Sequence, residues 1–266
     1  MRLKKILEWL EELSPVTYAE EWDNVGLLVG DDEQEIKRIV IALDASDSVI
    51  KQAVELQADL VLTHHPMIFK PVKQINNHSM IGRRILALAS NRIAYYAMHT
   101  NFDIKGGMAE LAAEKLELTE TVPLDVTTVI DGQPEGIGRI GLLKEAVEVR
   151  LLAETVKEQF GLKNVTVYGD ITKKVRKVAV CPGSGKSEIE NALKQKADIL
   201  ITGDIGHHEG IDAVDMGLVI MDATHYGLEH IFIEFMAGYL REKLKEAGEE
   251  QLQITCLDTG SPVTIL

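Results

Sequence analysis

Three short segments of this 266-residue chain place histidines and carboxylates directly after apolar runs. They are Thr63-His64-His65-Pro66, Met98-His99-Thr100-Asn101-Phe102-Asp103, and His225-Tyr226-Gly227-Leu228-Glu229. Imidazole and carboxylate donors at several strand ends are the layout of a multinuclear hydrolytic metal site. His64 and His65 are adjacent, so on a regular strand they point to opposite faces. At a strand terminus the chain turns, and Pro66, which cannot donate to a ladder, fits that turn. Both rings can then reach one site or serve two adjacent ions. Asp103 is either a hard anionic ligand or a cap for the helix that starts near Gly107. His99 reads as a ligand or as a residue that orients one, and the second role is favoured. His225 and Glu229 stand four apart, on one face of a helix if one begins there, and a carboxylate can bridge two ions. His207 and His208, after Thr202-Gly203-Asp204, are candidates for proton transfer or substrate contact, or else an exposed pair on a loop.

Such donors need rigid elements behind them. Leu3, Ile6, Leu7, Leu10 and Leu13 fall at helical spacing with Glu8, Glu11 and Glu12 opposite, which predicts an amphipathic helix over 3–13 rather than a signal peptide. A buried strand over 38–43, a helix over 46–57 and a strand over 59–63 follow. A helix over 82–90, a strand over 93–98 and a helix over 107–117 complete the first part. The pattern then repeats. Residues 38–65 align without a gap to 177–204, at a constant offset of 139. Identities fall at Ser48/Ser187, Ile50/Ile189, Ala53/Ala192, Ala58/Ala197, Asp59/Asp198 and Thr63/Thr202. Strand, helix and strand stay in register, which marks two related halves. The third strand is matched by aligning 94–100 with 218–224, and a helix follows from His225 to Lys245.

The fold class expected is therefore α/β, with α+β-like additions. Its duplicated strand-helix-strand halves form two intertwined domains with the metal site between them, at strand C-terminal ends. The first half-domain spans 1–125, with residues 226–266 packing back on it, and the second spans 126–225. Residues 119–138 read as a connecting loop, because Gly132, Pro134, Gly136 and Gly138 fall there. Pro182-Gly183-Ser184-Gly185-Lys186-Ser187 has the look of a phosphate-cradling loop. Val180 stands where the first glycine of that pattern belongs, so a nucleotide triphosphatase is rejected, and an anion nest or a plain strand-to-helix turn remains.

The net charge of −14 argues against wrapping DNA, since no cation excess exists to displace counterions from phosphates. A small phosphorylated ligand in a local basic pocket stays compatible, with Lys70, Lys73 and Lys105 as candidates. Two distant cysteines, Cys181 and Cys256, suit reduced thiols rather than a disulfide framework or a cysteine zinc site. No apolar run reaches the roughly 18 residues a membrane helix needs, so a cytoplasmic protein with no membrane partner is expected.

Taken in order, Trp22-Asp23-Asn24-Val25-Gly26, Thr63 to Pro66, His99 to Asp103, Thr202-Gly203-Asp204 with His207-His208, and His225 with Glu229 resemble the NIF-three-like dinuclear metal-centre proteins. These are widely labelled GTP cyclohydrolase 1 type 2 homologues. The resemblance covers essentially the whole chain. It implies two divalent ions, of Zn, Mn, Fe or Co. His65 and Asp103 then bind one ion, His64 and His225 the other, and Glu229 bridges. It implies a toroidal homohexamer, and water activated at the metals to open the guanine imidazole ring of GTP and release formate. In that reading His99 or His208 shuttles protons. Some members carry a further domain between the halves, and the 119–138 connection is too short for one. The alternatives are a non-catalytic metal-binding oligomer for metal handling or partner docking, and, more weakly, a dinuclear phosphoesterase.

Overall fold

A computed structural model describes residues 1–265. The first elements are α1 (Leu3–Leu13), β1 (Gly26–Val29), β2 (Arg38–Ala42), α2 (Asp47–Glu55), β3 (Leu60–Thr63), α3 (Met80–Ser90) and β4 (Ala94–Ala97). Next come α4 (Thr100–Ile104), α5 (Met108–Lys115), β5 (Thr119–Ile130), β6 (Gln133–Glu148), α6 (Val149–Gln159), β7 (Thr166–Tyr168) and β8 (Lys174–Ser184). The rest are α7 (Ile189–Lys194), β9 (Ile199–Gly203), α8 (His207–Asp215), β10 (Val219–Asp222), α9 (His225–Glu229), α10 (Ile231–Glu246) and β11 (Gln253–Cys256).

These elements form two compact units. The first takes Met1–Phe102 and Phe232–Gly260; the second takes Asp103–Ile231 and the segment from Ser261. The sheet of the first unit runs β1-β4-β3-β2-β11, parallel except for β1. The sheet of the second runs β5-β6-β8-β9-β10-β7, with β8, β9 and β10 as its parallel centre. The α/β expectation thus holds, as two mixed sheets with helices. Strands β3 and β9 are buried along their whole length, which is why they read as unbroken apolar runs rather than alternating ones. Their cores are mainly aliphatic: Val40, Val49, Ala53 and Val61, with the aromatic Tyr95, in one unit, and Ala179, Ala192, Leu200 and Ile220 in the other. In α1 the buried side chains are Leu3, Ile6 and Leu10 of the expected stripe together with Trp9, while Leu7 and Leu13 are half-buried.

The duplication is visible in individual hydrogen bonds. Asp59 accepts the backbone N–H groups of Lys37 and Arg38 at 2.7 and 2.8 Å. Asp198 does the same for Arg176 and Lys177, both at 2.8 Å. In each half the repeated aspartate ties the entry of the first strand to the entry of the second. Ala58 and Ala197 each donate their N–H to the repeated alanine five residues earlier, at 2.9 Å, closing the helix. The third strands match with a one-residue shift from the sequence alignment. Leu60 pairs with Ala94 and Ile199 with Val219, so Ala94 corresponds to Val219, not Leu218. The slip arises because both strands are continuously apolar, and no in/out alternation fixes the register. In the structural register His99 corresponds to Thr224.

Residues 119–138 are not a loop. They form most of a long antiparallel hairpin, β5 with β6. The turn is Asp131-Gly132, with φ of 52° and 77°. Two positive φ angles are what a tight two-residue hairpin requires, and Asp-Gly supplies them. The other glycines lie within β6. Downstream, the single helix expected over 225–245 is broken into α9 and α10 at His230. Among the described residues no helix is long and apolar enough to cross a membrane.

Candidate metal centre

In the first unit, the C-terminal ends of β3 and β4 bring His64, His65 and His99 together. Their donor nitrogens all lie within 4.8 Å of one another. Each ring is held by its Nδ1. His64 is fully buried and donates Nδ1–H to the Met98 carbonyl at 2.7 Å. Phe102 and Phe232 pack on its ring. His65 Nδ1 is 2.8 Å from Asp44 Oδ1. His99 Nδ1 is 3.0 Å from both oxygens of Asp23. A carbonyl or an ionised carboxylate can only accept, so Nδ1 carries a proton and Nε2 is the nitrogen that would ligate. A partner that fixes the tautomer and aims the second nitrogen is the support a metal-ligating histidine normally has.

Asp23 is built to stay ionised. Burial alone would raise its carboxyl, but the bonds from His99 and from the Thr100 N–H and hydroxyl outweigh that and lower it to about 2. Its neighbour Asn24 donates its side-chain N–H to the Ile68 carbonyl. The loop over 22–24 thus clamps both the β4 exit and the segment after Pro66.

The exit of β3 is secured by Tyr95. Its hydroxyl lies 2.8 Å from the Thr63 hydroxyl, accepts the Met67 N–H at 2.7 Å and bonds the His65 carbonyl at 2.9 Å. Burial raises the phenol to about 12, so it stays protonated. Tyr95→Phe strands the buried Met67 N–H, at about 2 kcal/mol. A melting temperature lowered by roughly 4–8 °C is expected. An unchanged melt would show that the hydroxyl does not hold this turn.

In the second unit, α9 presents His225 and Glu229 on one face, with His225 Nε2 3.0 Å from Glu229 Oε2. His225 Nδ1 is held by Asp204 Oδ2 at 2.8 Å, the arrangement Asp44 makes with His65. In both cases the aspartate leaves one parallel strand and the histidine leaves the next. Thr224 caps α9: its hydroxyl accepts the Gly227 N–H at 3.0 Å. Thr224 and Asp204 have φ of 66° and 59°, conformations that cost energy for a residue with a Cβ and concentrate at functional sites. Asp222 compensates by accepting the N–H groups of Ile205 and Thr224 at 2.9 and 2.8 Å. Glu229 is 3% exposed. Gly183, at φ 75°, makes room for it, since a Cβ there would lie 2.5 Å from Glu229 Oε1. The glycine-rich turn thus serves a carboxylate, and no anion nest need be invoked.

Asp103 lies half-buried in α4. Burial raises the Cys181 thiol well above its usual value, and the negative charges of Glu188, Asp103 and Glu229 raise it further. Cys181 and Cys256 are both free. His208 is exposed on the first turn of α8, its ring against His207. It belongs to no donor cluster found among the described residues. Lys105 pairs with Asp131 at 3.4 Å, while Lys70 and Lys73 are exposed.

The sequence did not mark Asp23, Asp44 and Asp204 as partners of the histidines. Replacing Asp44 or Asp204 by Ala frees the imidazole it holds. About 10- to 100-fold weaker divalent-metal binding is expected, read by competition with a chelating dye. Affinity equal to the parent protein in both variants would remove these aspartates from the site.

The chain belongs to the Duf34/NIF3 (NGG1p interacting factor 3) family, whose profile matches residues 1–262. It is 36% identical over 245 residues to the GTP cyclohydrolase 1 type 2 homolog of Clostridium perfringens, covering 92% of this chain and 93% of that one. Among solved structures, the Bacillus cereus protein related to NIF3 superposes with a TM-score of 0.91 at 26% identity, covering 100% and 99% of the two chains. Reduced HcgD from Methanocaldococcus jannaschii gives 0.79 at 35% identity, covering 97% and 98%.

Proposed function

We propose that this protein is a dinuclear metal-dependent hydrolase of the GTP cyclohydrolase type. His64, His65, Asp103, His225 and Glu229 hold two divalent ions, with Glu229 as the shared ligand. The observation that carries the reading is the histidine cluster at the ends of β3 and β4, each ring fixed through Nδ1. Imidazole nitrogens beside carboxylates are a donor set that Zn, Mn, Fe and Co all accept. What such ions supply when bound is Lewis acidity and a lowered pKa of water.

The chain's own residues do the rest. Asp44, Asp23 and Asp204 keep the rings oriented and add negative charge that offsets the ions. His99, whose Nδ1–H is committed to Asp23, can take a proton on Nε2 and return it, or serve as a further ligand. His208, exposed on α8, is the other candidate for proton transfer. The reaction is opening of the guanine imidazole ring of GTP by water, with formate as product. The protein works in the cytoplasm as a homohexamer.

A second reading is supported by the family's own description as an interacting factor: a metal-binding oligomer that docks a partner without turnover. The deciding experiment incubates metal-loaded protein with GTP and assays formate and inorganic phosphate. Formate release is the expected result. Phosphate release instead would favour a phosphoesterase, and intact GTP with both metal sites filled would favour the docking protein.

A further inference from the structure

Trp22 and Phe69 are the exposed aromatic residues among the described residues, 58% and 45% accessible. They lie together, with ring centroids 5.7 Å apart at 51°. Both also lie against His99, at 6.1 and 6.4 Å, edge to face. Single exposed apolar side chains are ordinary. Two aromatic rings in mutual contact, over a cluster of three histidines, are not explained by packing, because burial would be the stable arrangement for both.

The fold holds them there. Of three consecutive residues, Trp22 is exposed, Asp23 binds His99 and Thr100, and Asn24 binds the Ile68 carbonyl, next to Phe69. The same loop therefore positions one ring and anchors the backbone beside the other. After Phe69 come Lys70 and Lys73, both exposed, and the stretch from Pro66 to His78 contains no acidic residue. In a chain of net charge −14 that is a local cationic segment.

We propose that Trp22 and Phe69 form a stacking platform for a planar heteroaromatic ring carrying an anionic group: a purine nucleotide, its base on the aromatic pair and its phosphate toward Lys70 and Lys73. An aromatic face binds a base through stacking, and adjacent cations add attraction for phosphate. The identity of the ring rests on the hydrolase reading above; the existence of the platform does not. Trp22, not the buried Trp9 (6% exposed), is the tryptophan that reports on the site.

The test uses the full chain as isolated, with guanosine 5′-monophosphate and ribose 5-phosphate as probes. The nucleotide is expected to quench tryptophan emission and shield it from acrylamide, whereas ribose 5-phosphate is not. By calorimetry, Trp22→Ala weakens nucleotide binding about tenfold, and Trp22→Phe keeps most of the affinity. Phe69→Leu carries the test should Trp22→Ala misfold. Unchanged affinity in these variants would overturn the proposal. So would equal binding of ribose 5-phosphate, or a Trp22 already shielded in the free protein and uncovered on dilution, the mark of a second copy covering it. Formate release with no loss of affinity in Trp22→Ala sinks the platform alone. Stacking without formate release sinks the hydrolase alone.

Discussion

Glu229→Gln is expected to release no formate from GTP above the level of metal-stripped protein, while melting within a few degrees of the parent. Gln keeps the size and shape of the side chain, so the space opposite Gly183 stays filled and α9 keeps its packing. What is lost is one negative charge in a nearly dry position, 3.0 Å from His225 Nε2. Two divalent ions close together repel each other strongly in a low-dielectric site, and an anionic ligand shared between them offsets that repulsion. An amide oxygen carries no such charge. The variant should therefore also retain less metal, measured by elemental analysis after gel filtration. Undiminished formate release would show that Glu229 is not a ligand on which the reaction depends.

The largest stability effect is expected at Arg139. Arg139, in β6, is 4% exposed, and its guanidinium meets Glu110 and, at 2.8 Å, Glu135. It also donates to the carbonyls of Gly136, Gly138 and Ile104, at 3.0, 3.0 and 3.1 Å. Removing one partner of a buried ion pair leaves the others desolvated and uncompensated. Arg139→Met should cost about 4 kcal/mol, or roughly 8–16 °C in melting temperature. The Ile104 contact gives the change a second consequence, since Ile104 follows Asp103 in α4. Loosening that carbonyl should disturb Asp103 and lower metal retention. Arg139→Lys, which keeps the charge but not the five-donor fork, should fall between the two. A loss under about 1 kcal/mol would mean that the carboxylates are satisfied without the guanidinium.

The buried parallel strands, most helices and the duplicated half were readable in the sequence because apolar runs and helical spacing report directly on burial. The matching Asp59 and Asp198 bonds show that the repeat carries physical content. The histidines were readable because few other roles place His-His at the end of a buried run. Their aspartate partners were not. Asp44 and Asp204 each lie 21 residues before the ring they hold, and Asp23 lies 76 before His99, so nothing local marks the pairing. The glycines of 132–138 misled in the other direction. Counted as loop formers they hid a hairpin that Asp131-Gly132, directly after a segment rich in Thr and Val, does announce. Gly183 looked like part of a phosphate loop because its neighbour in space, Glu229, is far downstream. The one-residue slip in the third strand follows from unbroken burial, which removes the alternation that register is read from.

His64, His65, Asp103, His225 and Glu229 are proposed to bind metal together. The most direct test is a crystal structure of the protein as isolated, with diffraction collected on both sides of the absorption edge of the metal found by elemental analysis. About two anomalous peaks per chain are expected, each roughly 2.0–2.2 Å from histidine nitrogens and carboxylate oxygens of this set. Protein that carries no metal under these conditions, or metal bound only at other residues, would contradict it.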